Sequence, residues 1–335
     1  MRIVVTGGAG FIGSHFIRLV LREHPDDEVV NLDKLTYAGN LDNLRDVEGN
    51  ERYTFVKGDI CDAEVVDAVT RGADALVNFA AETHVDRSIT GADDFIRTDV
   101  LGTHVLLEAA REHELARYVQ VSTDEVYGSI DDGAFTEDDP LRPSSPYSAG
   151  KAAADMLVTA AATTFGLPVL ITRSSNNFGP NQYPEKLIPL FVTNALEDRP
   201  LPVYGDGLQM RDWIHVEDNC RAIDLVLRRG PAGEIYNVGA GNERSNLDLT
   251  RRVLRLLGKD DDLIRFVDDR PGHDRRYALD CEKLHALGWE PRLPFDDGLA
   301  ATVDWYRENS WWWHPIKSGQ WKEYYAAQYR GLDER

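Results

Sequence analysis

Two adjacent carboxylates, Asp124 and Glu125, stand in the stretch STDEVYG, where the apolar run RYVQV ends and a loop begins. A strand end needs no such pair, and side by side the two repel. In a reacting site the same repulsion is useful. Ionising one acid raises the pKa of its neighbour, so the two can hold different protonation states at one pH. Downstream, Tyr147 and Lys151 in YSAGK are four residues apart in a helical stretch and share a face. A lysine ammonium beside a phenol favours the phenolate, which makes tyrosine a usable base near neutral pH. With the hydroxyl of Thr123 one strand earlier, these groups suit removal of a proton from an alcohol while a hydride leaves its carbon.

A hydride acceptor needs a place, and the first strand supplies one. TGGAGFIGSH satisfies G-x-G-x-x-G through Gly8, Gly10 and Gly13, and G-x-x-G-x-x-G through Gly7, Gly10 and Gly13. It follows the strand RIVVT and opens a helix from Phe11 to about Arg22, the context in which glycines let the backbone approach a pyrophosphate at a helix N-terminus. Asp33 ends the second strand, EVVNLD, where its carboxylate can accept hydrogen bonds from a ribose and would repel a 2′-phosphate. NAD is therefore expected rather than NADP, with Lys34 next door as the opposing charge. GDI (58–60) and NFAAE (78–82) end further strands with small residues that leave room for a cofactor.

Strands and helices alternate through YTFVKGD, DALVNFA, a helical stretch from about Asp93 to His113, YVQVS, a helix from about Ser148 to Thr164, and VLITR. The pattern predicts an α/β fold, a Rossmann-type doubly wound parallel sheet. After NNFGPNQYPEKLIP the elements shorten, which predicts a smaller mixed α/β C-terminal substrate domain. The expected division is 1–178 with about 212–240 for the dinucleotide, and about 179–211 with 241–335 for the substrate. Trp311 to Trp313 are expected to form a packed C-terminal anchor, and His104, His215 and His285 to be structural.

The chain has 335 residues and 57 acidic against 37 basic side chains, a formal net charge of −20. Such a surface repels nucleic acid and anionic membranes, and no apolar stretch is long enough for a membrane span. Three scattered cysteines, Cys61, Cys220 and Cys281, offer neither a disulfide framework nor a zinc site. No metal is expected, and the start MRIVVTGG, which enters a strand at once, predicts a cytoplasmic protein. The charge also means that an anionic ligand must be met by local Arg and Lys clusters.

Gly7/Gly10/Gly13, Thr123 and Tyr147-x-x-x-Lys151 resemble the extended short-chain dehydrogenases/reductases. LDKLTYAGN, AAETHVDRS, STDEVYG, NNFGPNQYPEKLIP, PVYGDG, RDWIHVEDNC and DRPGHDRRY narrow the resemblance to the nucleoside diphosphate-glucose 4,6-dehydratases. The resemblance implies dTDP-glucose as substrate, NAD as a regenerated cofactor and a homodimer. It assigns catalysis to Thr123, Asp124 (acid), Glu125 (base), Tyr147 and Lys151. On the cofactor side it implies Gly7, Gly10, Phe11, Ile12, Gly13, Asp33, Lys34, Thr36, Asp59, Ile60, Phe79, Ala80, Ala81 and Thr98, besides Tyr147 and Lys151. On the substrate side it implies Thr83, His84, Asn176, Glu185, Lys186, Leu187, Pro202, Tyr204, Arg211, Asn246, Arg270 and His273. The order of acid and base within the pair comes from the resemblance alone. Three positions depart from the family's usual Ser, Ser and Tyr, namely Thr83, Gly150 and Phe178. A dehydratase or 4-epimerase acting on a UDP-, GDP- or CDP-linked sugar is the alternative enzyme. A silent NAD-binding regulator is the alternative from another class.

Overall fold

The structure, a computed structural model, describes residues 1–329. Its strands are β1 Arg2–Thr6, β2 Glu28–Asp33, β3 Tyr53–Lys57, β4 Ala75–Asn78, β5 Arg117–Thr123, β6 Val169–Ser174, β7 Asn176–Phe178, β8 Leu201–Tyr204, β9 Met210–His215, β10 Ile235–Val238, β11 Glu243–Ser245 and β12 Ile264–Val267. Seven of them form one sheet in the order β3-β2-β1-β4-β5-β6-β10, with every neighbouring pair parallel. Ile3, Val4 and Val5 are fully buried, because helices cover both faces and a strand between them must be apolar on both. Val4 pairs with Val30 on one side and Leu76 on the other. The strand order reverses between β1 and β4, which opens a crevice beyond the carboxyl ends of the strands. Thr6, Asp33, Asn78, Thr123 and Ser174 end their strands at that edge.

Helix Phe11–Glu23 follows β1 through the glycine turn. The stretch expected to be one long helix, Asp93 to His113, is interrupted. It runs as Asp93–Phe95, a π-helical turn over Ile96–Gly102, and Thr103–Glu112. Gly102 closes that turn against Ile60, whose Cδ1 would lie 2.4 Å from any added Cβ. Helix Pro146–Phe165 starts earlier than its apolar spacing suggests. Ser145 and Ser148 form a reciprocal capping box and Pro146 takes the first turn, so Tyr147 lies inside the helix.

The remaining strands form two small sheets, β11-β9-β7 and β12-β8. A separate apolar core gathers Phe178, helix Leu187–Leu196, helix Asn246–Leu257 and helix Phe295–Glu308. Leu284 and Trp289, expected with this part, pack instead into the core of the large sheet. Trp312 and Trp313 are buried as an anchor, while Trp311 is exposed. The Trp312 indole N–H donates to Asn43 Oδ1 at 2.8 Å, and Asn43 Nδ2 donates to the carbonyl of Ala9 in the glycine turn at 2.9 Å. No described helix is long and apolar enough to cross a membrane.

Candidate active site

One groove runs along the crevice, lined by Gly7, Gly10, Phe11, Ile12 and Gly13, then Asp33, Lys34, Thr36, Asp59, Ile60, Phe79, Ala80, Ala81 and Thr98. At its other end it meets Thr83, Thr123, Asp124, Glu125, Tyr147, Lys151, Asn176 and Lys186. Every residue expected on the cofactor side and every expected catalytic residue therefore faces one space.

Gly7 has φ +68°, and a Cβ there would lie 2.6 Å from the Ala80 nitrogen. Gly13 packs equally tightly on the Gly7 carbonyl, 2.5 Å from a built Cβ. Gly10 differs. A Cβ on it would meet only the Gly7 oxygen, at 3.1 Å, and would otherwise project into free space. The fold crowds this position less than Gly7 or Gly13, and the space it leaves open belongs to the groove. No side chain caps helix Phe11–Glu23, so its first N–H groups are available to an anion.

Asp33 is held by the backbone N–H groups of Ala9 and Leu35, at 2.9 and 2.8 Å. Lys34 is paired with Asp59 at 2.8 Å, which cancels the cation that could have welcomed a 2′-phosphate. These residues fit a dinucleotide with a free ribose hydroxyl.

At the catalytic end, β5 runs directly into a 3₁₀ turn, Asp124–Tyr127, capped by Thr123 Oγ1 accepting from Glu125 N–H at 3.3 Å. The cap turns the two acids into different surroundings. Asp124 is buried, with Oδ1 accepting from Thr123 at 3.2 Å and Oδ2 without a partner. Burial, reinforced by Glu125, pushes its pKa well above the usual carboxylate range. Burial also raises Glu125, but Arg270, Arg211 and Lys186 all pull it back. The proton is therefore held more tightly on Asp124 than on Glu125.

Tyr147 and Lys151 are both buried in the groove wall. The depression of the phenol pKa expected from Lys151 is not what the protein gives. Burial, followed by the charges of Glu125 and Asp99, pushes Tyr147 well above its ordinary value, with a Thr123 hydrogen bond opposing. Lys151 Nζ donates to the Val121 carbonyl at 2.7 Å.

Of the expected substrate residues, Thr83, Asn176 and Lys186 line the groove, and the other nine do not. Lys186 donates to the Thr83 carbonyl. Arg211 donates to the carbonyl of Asp274 at 2.9 Å and lies over the Tyr277 ring. Arg270 is paired with Asp86 at 2.8 Å. His273 Nδ1 lies 2.6 Å from Asp269, and burial holds its pKa down. Asn176 and Asn246 each bury a side-chain oxygen without a partner. Glu185 is paired with Arg87 at 3.0 Å, His84 is buried against Tyr324, and Tyr204 donates to Asp86 at 2.9 Å. Leu187 packs on the second core, and Pro202 is buried in β8. His215 caps the helix Val216–Arg229 and packs on Phe178, a structural role as expected. Phe178 itself is buried in the second core and does not line the groove.

Sequence reasoning overlooked Glu82, Asp86 and Asp99. Asp99 lies in the π turn, 2% exposed, with neither carboxylate oxygen hydrogen-bonded. A Cβ on Gly150 would lie 3.4 Å from its Oδ2. Burial pushes Asp99 up to about 7, against the pull of Lys151. Because the folded pKa exceeds the unfolded one, the fold carries no penalty from Asp99 below the unfolded value. The penalty grows as pH rises from about 4 to 7 and is complete above 7. Asp99→Asn is thus expected to stabilise the protein more at pH 8 than at pH 5, by about 2–3 kcal/mol. Denaturant unfolding at both pH values checks this, and an equal effect at both would refute it.

A family model of GDP-mannose 4,6 dehydratases matches residues 4–302. The chain is 55% identical over 323 residues to a dTDP-glucose 4,6-dehydratase of Streptomyces niveus, covering 95% of this chain and 96% of that one. It is 57% identical over 306 residues to the low-salt glycan biosynthesis protein Agl12 of Haloferax volcanii, covering 91% and 98%. Among solved structures it is similar to the dTDP-glucose 4,6-dehydratase DesIV of Streptomyces venezuelae with NAD and TYD bound. There the TM-score is 0.93 and the identity 55%, over 95% of this chain and 100% of that one. With the glycine turn, the Tyr-Lys pair and the acid pair sharing one groove, these likenesses establish that the chain belongs to the dTDP-glucose 4,6-dehydratase family, in the nucleotide-sugar branch of the extended short-chain dehydrogenases/reductases.

Proposed function

We propose that the protein is a hydro-lyase that converts dTDP-glucose to dTDP-4-keto-6-deoxyglucose, with NAD regenerated in each turnover. The observation that carries this reading is the unequal environment of Asp124 and Glu125 in the groove shared with Tyr147. Simple C4 chemistry uses one base. Loss of water across C5–C6 needs an acid and a base besides.

The glycine turn, the uncapped helix end and Asp33 are the residues that hold the pyrophosphate and ribose of NAD. Bound NAD supplies the redox chemistry, storing a hydride between C4 and C6. Tyr147 takes the proton of the 4-hydroxyl, with Thr123 beside it and Lys151 contributing positive charge. The ketone at C4 acidifies C5–H, and Glu125 removes that proton. Asp124 gives its proton to the 6-hydroxyl, which leaves as water. Once C6 has received the hydride, Glu125 returns a proton to C5, completing the 4-keto-6-deoxy sugar. Lys186, Arg211 and Arg270 face the diphosphate, where paired Arg donors suit phosphate oxygens. Asn176, Asn246, His273, Glu185 and Leu187 complete the substrate side, with Pro202 and Tyr204 toward the base and Thr83 and His84 toward the sugar.

Incubation with dTDP-, UDP-, GDP- and CDP-glucose, with product identification, tests the proposal. A 4-keto-6-deoxy product from dTDP-glucose, without accumulation of reduced cofactor, is expected. Preference for another nucleotide, or steady accumulation of reduced cofactor, overturns it.

A homodimer in the cytoplasm completes the reading. Ile96, Leu101 and Met156 are exposed at 57%, 43% and 59% on two neighbouring helices, which supports pairing of these helices between copies. All three cysteines are free thiols, consistent with a reducing compartment. Met156→Glu is expected to halve the mass seen by sedimentation, and an unchanged mass would place the interface elsewhere.

A further inference from the structure

Asp86 is a buried carboxylate to which the reaction above gives no part, yet three other segments of the chain converge on it. It lies in the short helix Val85–Thr90 and is 7% exposed. Its Oδ1 accepts from Arg270 Nη1 at 2.8 Å, and its Oδ2 accepts from the Tyr204 hydroxyl at 2.9 Å. Gln328, at the end of the C-terminal helix Gln320–Gln328, donates to that hydroxyl at 2.8 Å and reaches Asp86 Oδ2 at 3.5 Å. One turn earlier on the same helix, Tyr324 places its hydroxyl 3.4 Å from His84 Nδ1.

Arg270 is held by one end only. Nη1 is taken by Asp86, while Nε is buried and has no partner in the protein. A desolvated guanidinium N–H left unmatched is costly unless a ligand accepts from it, and the Nε edge is the side of the fork that grips a phosphate. Arg270 is also one of the charges that hold Glu125 ionised.

We infer that Asp86 is a positioning residue that fixes the Nε edge of Arg270 toward the substrate diphosphate, and that Gln328 and Tyr324 make the C-terminal helix a wall of the nucleotide-sugar site. This rests on the proposed function for the identity of the ligand. The contacts are local: they join Asp86, Arg270, Tyr204 and the C-terminal helix, and include none of the residues of the glycine turn.

Calorimetric titration of the full chain with dTDP, thymidine and NAD tests it without turnover. Asp86→Asn is expected to weaken dTDP by about tenfold or more, a larger loss than for thymidine, leaving NAD affinity as it was. Asp86→Glu should recover part of the loss, and Gln328→Ala should weaken dTDP by about threefold. A merely structural role would lower all three affinities together. Unchanged dTDP affinity in Asp86→Asn overturns the inference. If that variant loses NAD binding as well, Gln328→Ala and Tyr324→Phe decide, and unchanged dTDP affinity in both overturns it. A native protein that binds dTDP but turns over no nucleotide sugar removes the proposed function and leaves this test intact. Failure of the native protein to bind dTDP sinks both.

Discussion

Asp124→Asn will slow the loss of water by about 10²–10⁴-fold, the span that a positioned acid contributes, while oxidation at C4 stays within a few-fold of native. Asn keeps the shape and the oxygen that accepts from Thr123 at 3.2 Å, so the turn and Tyr147 stay in place. What it lacks is the acidic proton that burial keeps on Asp124. In a single turnover, reduced cofactor should therefore build up and persist, visible by its absorbance, where the native enzyme shows little. Equal slowing of both steps would remove the role assigned to Asp124. The pH dependence of elimination has a defined sign. On the acid side it falls as Glu125 takes a proton, and on the alkaline side as Asp124 loses one. Because burial raises both groups, the active window lies above the range of ordinary carboxylates. Removing Arg270 should move the acid limb upward, since that guanidinium is the foremost charge holding Glu125 ionised.

Tyr147→Phe will abolish oxidation at C4, with kcat lower by about 10²–10⁴-fold and no burst of reduced cofactor. The environment makes the requirement severe. Burial, Glu125 and Asp99 all disfavour the phenolate, so positive charge beside the groove, of which Lys151 is the protein's own source, carries unusual weight. Lys151→Met is accordingly expected to lose nearly as much, whereas an ordinary exposed tyrosine would feel such a change only weakly. Rapid-mixing absorbance separates this variant from Asp124→Asn: one shows no reduced cofactor, the other an excess. A Tyr147→Phe enzyme that still oxidises C4 would assign the base elsewhere.

The glycine turn, the strand alternation and the Tyr-Lys spacing were legible because they are local. Each depends on a few consecutive residues and a period of two or 3.6. The parallel, doubly wound character of the sheet followed from the same alternation. The π turn at Ile96–Gly102 was not legible, since an extra residue per turn leaves the apolar pattern of a long helix nearly intact. Nor was the burial of Asp99 within it. The start of helix Pro146–Phe165 was misplaced because its capping box lies upstream of the first apolar repeat. The protonation order of Asp124 and Glu125 depends on Lys186, Arg211 and Arg270, which arrive from three distant segments. Asp86 and Arg270 are 184 positions apart, and no spacing rule connects them.

The contact from Trp312 through Asn43 to the Ala9 carbonyl joins the last helices of the chain to the glycine turn. A dehydrogenase that exchanges its cofactor each cycle needs a phosphate loop that can loosen. Here the hydride borrowed from one carbon is repaid to another, and the cofactor has no reason to leave. Buttressing the loop from the far end of the chain suits a permanent resident rather than a visitor, and it ties the order of that loop to the packing of the last helices.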